Sequence, residues 1–199
     1  MPKFIFDLDG TITAVETLPL IARHFGVEAE IEALTQETIR GNIPFMESFI
    51  RRVHILGKLP VAEVSALLAT VPTYPLVTQF IQSHREHCVI ATGNLFCWVE
   101  ALVHRLGCPC FYSQAALEHG VVGQLTHIVR KEEVVQAFQA QGEQVVFIGD
   151  GNNDAEAMRL AHVSIASGLT HWPSPSVLAV ADYLVFSEEA LCRQLTQLC

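Results

Sequence analysis

Short apolar runs recur along the chain at Lys3–Asp7, Cys88–Ala91, Pro109–Tyr112, Val145–Gly149, Val163–Ala166 and Tyr183–Phe186. Several of them lack polar alternation, which suits strands covered on both faces, as in a parallel sheet. Helical patterns fall between most of them, at Leu76–Arg85, Phe96–Leu106, Lys131–Gln141, Asp154–Leu160 and Pro175–Val180. This alternation predicts a doubly wound α/β domain. The stretch from Glu16 to Thr70 carries only helical patterns. Leu18, Ile21, Ala22 and Phe25 follow one helix face, and Gly26 can end that helix. Phe45, Phe49, Val53 and Leu56 line a second, and Pro60 suits the start of a third. Val71–Pro75 reads as a linker back to the sheet. The expected organisation is therefore an α/β core of residues 1–13 and 76–199, with a small helical cap inserted over residues 14–75. A ligand cleft is expected between the cap and the carboxyl ends of the strands. Gln114–Leu125, with Gly120 and Gly123, is a candidate hairpin.

Composition narrows the class. Only 17% of the 199 residues are charged and half are hydrophobic, enough for a packed core rather than a disordered chain. The net charge of −9 gives no electrostatic reason to bind nucleic acid or an anionic membrane surface. An anionic substrate would then need a local reversal of the field, and a bound cation is the simplest device. No apolar run reaches the roughly 18–20 residues needed to span a bilayer. The N-terminus lacks the pattern of a signal peptide. Six cysteines without such a signal suggest reduced thiols and a cytoplasmic location.

Two acidic clusters follow apolar strands. Asp7-Leu8-Asp9-Gly10-Thr11 ends the first, and Gly149-Asp150-Gly151-Asn152-Asn153-Asp154 follows a later one. In extended chain Asp7 and Asp9 point the same way. Each cluster alone also has a plain reading, the first as a turn and the second as a helix cap with Asn152 or Asn153 as the N-cap. Together on one sheet edge they make an oxygen-rich site suited to Mg²⁺. Between them, Thr92-Gly93-Asn94 follows a strand and precedes a helix, where a hydroxyl and free amides can seat an anion or simply cap the helix. Lys131 opens a helix, an unfavourable place for a cation unless it serves a partner. A solvated surface lysine is the plain alternative.

Taken in order, these segments resemble the four motifs of the haloacid dehalogenase superfamily, in particular its phosphoserine phosphatase-like branch with a helical cap. The resemblance extends over nearly the whole chain. It implies an Mg²⁺-dependent phosphatase acting on a small anionic phosphomonoester through an aspartyl-phosphate. Asp7 is then the nucleophile and Asp9 the general acid and base. Asp7, Asp9 (through its backbone carbonyl), Asp150 and Asp154 hold the metal. Thr92, Gly93 and Lys131 bind the phosphoryl oxygens, and Asn153 supports from behind. Glu16 and Arg52 fall where that branch reads the substrate's amino group and carboxylate. At about 100° per residue Arg52 lies beside the apolar stripe of its helix while Arg51 points away. The plain alternatives are a helix cap for Glu16 and a structural ion pair for Arg52.

The chain departs from that branch at Gly10, at Asn94 and in a long polar loop, Ser167–Ser176, which follows a strand's carboxyl end and so could border the pocket, with plain surface as the favoured reading. These departures leave the reaction in place and loosen the choice of phosphoserine. A phosphotransferase shares every motif, and an inactive phospho-ligand-binding protein is the non-enzymatic alternative. Asp9 argues against a dehalogenase. Cys108-Pro109-Cys110 lacks the spacing of a zinc site, and the nine histidines, without a paired pattern, are expected to be mostly structural or on the surface. A monomer or homodimer is expected.

Overall fold

The computed structural model describes residues 1–39 and 42–199, without the side chains of residues 39 and 45. The Phe45 position of the predicted stripe thus lies outside the described side chains. Among the described residues seven strands form one sheet in the order β4-β3-β2-β1-β5-β6-β7. These are β1 (Lys3–Phe6), β2 (Cys88–Leu95), β3 (Cys110–Glu118), β4 (Val121–His127), β5 (Val145–Gly149), β6 (Val163–Ser167) and β7 (Tyr183–Val185). All neighbours pair in parallel except β3 and β4. The doubly wound parallel sheet expected from the sequence is present, with one antiparallel pair at this edge. The hairpin suggested by Gln114–Leu125 extends the sheet instead of standing apart from it. Its turn, His119-Gly120, has φ of 52° and 83° at the two residues, the left-handed pair that matches the twist of a tight hairpin.

Period-2 burial divides the core. Phe4 and Phe6 face one layer with α5 (Pro75–Ser83), α6 (Phe96–Leu106) and α10 (Glu188–Leu198). Ile5 and Phe147 face the other, with α7 (Lys131–Gln139), α8 (Ala155–Leu160) and α9 (Pro175–Leu178). Helix α10 carries a clear signal that the strand-by-strand reading passed over: Ser187 caps it by accepting from the Ala190 amide, Glu188 and Glu189 open it, and Leu191 and Leu195 share its buried face.

Four helices fill the segment between β1 and α5: α1 (Thr17–His24), α2 (Glu28–Ile39), α3 (Phe45–Leu56) and α4 (Val61–Ala69). The patterns named three; α2, weakly amphipathic, is the addition. Phe49, Val53 and Leu56 are buried along one face of α3, as their spacing predicts. The chain leaves and re-enters the sheet side by side, where Thr13 bridges Thr73 and the Tyr74 amide donates to the Ile12 carbonyl at 3.0 Å. On the far side, the Val61 amide donates to the Gly120 carbonyl and the Val122 amide to the Gly57 carbonyl, each at 2.9 Å. The β3–β4 hairpin is thus bonded directly to the connection between α3 and α4. No helix among the described residues is long and apolar enough to cross a membrane.

Candidate active site

Strand β1 lies at the point where the sheet reverses, with β2 on one side and β5 on the other. Loops leaving adjacent strands diverge there, which opens a crevice at their carboxyl ends. Asp7 directly follows β1, and its amide still donates to the Ile148 carbonyl at 2.8 Å. Asp150 directly follows β5. A cleft of about 880 Å³ opens over them, bordered by Asp7, Asp9, Glu16, Arg52, Asn94 and His171.

Oxygens of Asp7, Asp150 and Asp154 all lie within 4.8 Å of one another, and all three residues are buried. Lys131, itself buried, ion-pairs with Asp7 and stands 2.6 Å from Asp154. The other oxygen of Asp154 accepts from the amides of Asp150 and Gly151, at 3.0 and 2.9 Å. Asp154, not Asn152 or Asn153, occupies the N-cap position of α8, and its side chain serves this cluster rather than the helix. The Thr11 hydroxyl donates to Asp150 at 2.7 Å. Burial raises the Asp7 carboxyl well above its ordinary value; Lys131 pulls it back only in part, while Asp154, Asp150 and Asp9 push it further up. Burial also raises Asp150. Burial pulls the Lys131 ammonium down, but Asp154 and Asp7 more than offset it, so the proton is held. One ammonium among three buried carboxylates leaves surplus negative charge in an all-oxygen setting, which fits a hard divalent cation.

The carboxylate of Asp9 stands apart from that cluster. It accepts from the hydroxyl and amide of Thr17, and from the Asn94 side-chain amide at 3.4 Å. Asn94 also donates to the Thr17 hydroxyl at 2.6 Å. Burial, then the nearby charge of Glu16, raise Asp9 to about 6 against the bonds from Thr17 and Asn94. The sign of its effect on stability follows. Unfolded, Asp9 loses its proton near the ordinary value of 3.8; folded and metal-free, it keeps it to about 6. Between those values the folded state binds more protons, so stability falls as pH rises. Chelator-treated protein should therefore lose melting temperature across that window, and Asp9→Asn should lose less. Equal losses in thermal melts of the two proteins would refute this.

Residues 92–94 belong to β2, whose register shifts between Ala91 and Leu95, and not to a helix N-terminus as expected. The N-cap of α6 is Leu95. Thr92 is fully buried and accepts the Asn94 amide at 3.1 Å, while Gly93 and Asn94 line the cleft. Asn153 lines it too. Arg52 borders the cleft, whereas Arg51 turns out to Glu47, as the helical geometry predicts. The buried Nε of Arg52 has no hydrogen-bond partner among the described residues. Burial lowers its guanidinium from the ordinary value, with Glu16 and Glu32 opposing. Glu16 stands at the N-cap of α1 but makes no capping bond with its side chain.

That side chain meets a residue that sequence reasoning missed. His171 Nε2 lies 2.8 Å from Glu16 Oε1 and 3.1 Å from Asp150 Oδ2. These contacts, first with Asp150 and then with Glu16, raise the imidazole to about 11. The segment 167–176 therefore borders the cleft, so of its two readings the pocket-bordering one holds and plain surface is corrected, and His171 is no bystander histidine. The available signal was position: the loop follows the carboxyl end of β6, on the same sheet edge as both acidic clusters. Gly10 makes room for the contact. Its φ is +72°, and a Cβ there would lie 2.6 Å from Glu16 Oε1 and 3.2 Å from His171 Nε2.

A family model described as haloacid dehalogenase-like hydrolase matches residues 3–162. The chain belongs to this family. Among its hydrolase relatives, it is 27% identical over 191 residues to phosphoserine phosphatase SerB2 from Mycobacterium tuberculosis, covering 89% of this chain and 46% of that protein. It is 27% identical over 201 residues to the phosphoserine phosphatase of Idiomarina loihiensis, covering 94% of this chain and 89% of the relative. The chain thus spans about half the length of the first relative and most of the second. A solved structure described as a phospho-aspartyl intermediate analogue of phosphoserine phosphatase superposes with a TM-score of 0.81 at 22% identity, over 98% of this chain and 97% of that one. At that identity the likeness speaks for the haloacid dehalogenase fold alone.

Proposed function

We propose that this protein is an Mg²⁺-dependent phosphatase of small phosphomonoesters, working through a phosphorylated Asp7. The observation that carries the reading is the buried cluster of Asp7, Asp150 and Asp154 around Lys131, with Asp9 held apart beside it. Asp7, Asp150 and Asp154, with the backbone carbonyl of Asp9, would hold Mg²⁺. Bound there, the cation supplies the positive charge that lets a carboxylate and a phosphate dianion approach.

The chain's own groups divide the work. A carboxylate oxygen of Asp7 attacks phosphorus as the ester P–O bond breaks. Asp9, whose raised pKa keeps a proton available, gives it to the departing alkoxide. In the second half, the Asp9 carboxylate takes a proton from water as that oxygen attacks phosphorus, and the P–O bond to Asp7 breaks. Lys131, already on Asp7, would follow the phosphoryl oxygens, with the Thr92 hydroxyl and the Gly93 backbone. Asn153 lines the cleft and orients its neighbours.

The cap, residues 14–75, and the core, residues 1–13 and 76–199, are assigned as two units, joined where Thr13 bridges Thr73. The first candidate substrate is phosphoserine or a related phosphorylated amino-acid-like metabolite. Arg52, whose buried Nε has no partner among the described residues, would take a carboxylate, and Glu16 would meet an amino group.

The test is phosphate release from phosphoserine, phosphothreonine, phosphohomoserine and sugar phosphates, with Mg²⁺ and with chelator. Turnover with Mg²⁺ and its loss with chelator are expected. Absence of release from every ester would turn the reading to a phospho-ligand-binding protein. Added acceptor alcohol separates hydrolysis from phosphoryl transfer, which would yield a new ester instead of free phosphate.

A further inference from the structure

Asn94 is buried beside the cleft, and its side chain is fixed at both ends. Its Oδ1 accepts the Leu95 amide at 3.0 Å, so Nδ2 faces the other way, to the Thr17 hydroxyl at 2.6 Å. A side-chain N–H can only donate. The Thr17 hydroxyl therefore accepts from Asn94 and has its own hydrogen left for Asp9 Oδ1. The Thr17 amide donates to the same Oδ1 at 3.2 Å. One oxygen of Asp9 thus receives two bonds from Thr17. The other, Oδ2, has among the described residues only the long contact to Asn94 Nδ2 at 3.4 Å.

The three residues come from three parts of the chain: Asp9 follows β1, Asn94 belongs to β2, and Thr17 opens α1. The plain reading is that Asp9 satisfies a free donor in the first turn of α1. The Thr17 amide alone would serve that purpose. Its hydroxyl, and the Asn94 amide behind it, add direction. A hydroxyl is a rotor, and the Asn94 donor turns its hydrogen onto Asp9. A carboxyl that gives a proton must present one particular oxygen to the leaving group, so a neighbour that takes up the other oxygen decides which one. Resting on the phosphatase reading above, we propose that Asn94 is a positioning residue: acting through Thr17, it holds Asp9 so that Oδ1 is occupied and Oδ2 delivers the proton to the leaving alcohol. As the ester P–O bond breaks, the proton passes from Oδ2 to the alkoxide oxygen, and Asp9 is left as a carboxylate still bonded to Thr17. The benefit depends on the leaving group. The alkoxide of serine needs the proton, whereas 4-nitrophenolate departs without one.

The experiment follows the first half-reaction by rapid quench, reading alcohol release from phosphoserine and from 4-nitrophenyl phosphate. Wild type, Asn94→Ala, Thr17→Val, Thr17→Ser and the double variant of Asn94→Ala with Thr17→Val are compared. Both rate constants are measured on one preparation of each protein, so a loss of folded protein does not distort their ratio. Asn94→Ala should slow phosphoserine by about tenfold or more, a part of what a positioned acid supplies, and 4-nitrophenyl phosphate by less than about threefold, with KM for phosphoserine changed by less than about threefold. Thr17→Val should show the same selective loss, and Thr17→Ser, which keeps the hydroxyl, should not. The double variant should be no slower than Thr17→Val alone, because residues in one chain of bonds do not act independently. Equal losses on the two esters, no loss on phosphoserine, or single losses that multiply in the double variant would each overturn the proposal while the phosphatase reading stands. A wild type that releases phosphate from neither ester would defeat that reading and this proposal with it.

Discussion

Asp7→Asn should lower kcat by at least about 10⁴-fold while leaving the fold in place, because the variant loses the carboxylate that is proposed to form the covalent intermediate. The amide keeps the size and shape of the carboxylate. Asp7 follows a strand paired on both sides, and its backbone amide bonds Ile148 whatever the side chain is. The substitution also removes one of three crowded negative charges, so melting temperature in chelator should hold or rise. Burial and its three acidic neighbours are what raise Asp7, and an amide escapes both. Rapid quench with labelled substrate supplies the second reading, with label on wild-type protein and none on the variant. An Asp7→Asn protein with near-normal turnover would end the mechanism.

Lys131→Ala should damage stability as well as chemistry. It is buried and is the ion-pair partner of both Asp7 and Asp154. Removing one member of a buried pair strands the charge left behind, at a cost of about 3–5 kcal/mol. For a chain of this size that is a fall of roughly 6–20 °C in melting temperature. The fall should be smaller in acid, where the stranded carboxyls take up protons, and smaller with saturating Mg²⁺, which restores a cation to the cluster. Turnover at saturating Mg²⁺ should still drop by about 10²–10³-fold, the usual result of deleting a preorganised charge at a developing oxyanion. A mutant that melts like wild type in chelator would show that the pairs to Asp7 and Asp154 hold nothing in place.

The sheet was legible because its strands are covered on both faces. Val145–Gly149 is apolar at every ordered position and was bounded to the residue. Helix α6 was also bounded correctly, since Gly107 stops it in a left-handed conformation. The acidic clusters were legible because carboxylates at the ends of apolar strands are costly without a shared cation. Residues 92–94 were misplaced, since a Thr-Gly-Asn stretch looks like a cap while only tertiary pairing reveals the irregular continuation of β2. Helix α2 was missed because Glu28, Glu30 and Glu32 weaken its apolar face. His171 was missed for a different reason. Nothing local distinguishes it, and its role comes wholly from two partners that the fold brings to it, one in each acidic or cap segment. Gly10, noted only as a departure, gained its meaning from the same contact.

The sheet order also governs how this cleft comes into being. Asp7, Asn94, Lys131, Asp150 and His171 each leave a different crossing of the chain, and β1 is held by strands that begin at Cys88 and Val145. Pairings between residues so distant in sequence are the slow ones to form, because a large loop must close before any contact rewards it. No stretch of chain that stops short of residue 171 holds the whole cleft, and no early-folding piece can carry a share of it. Recovery of turnover after dilution from denaturant is accordingly a clock for closure of the sheet's centre. During synthesis, Asp7 must wait for the chain through residue 171 before its cleft is whole.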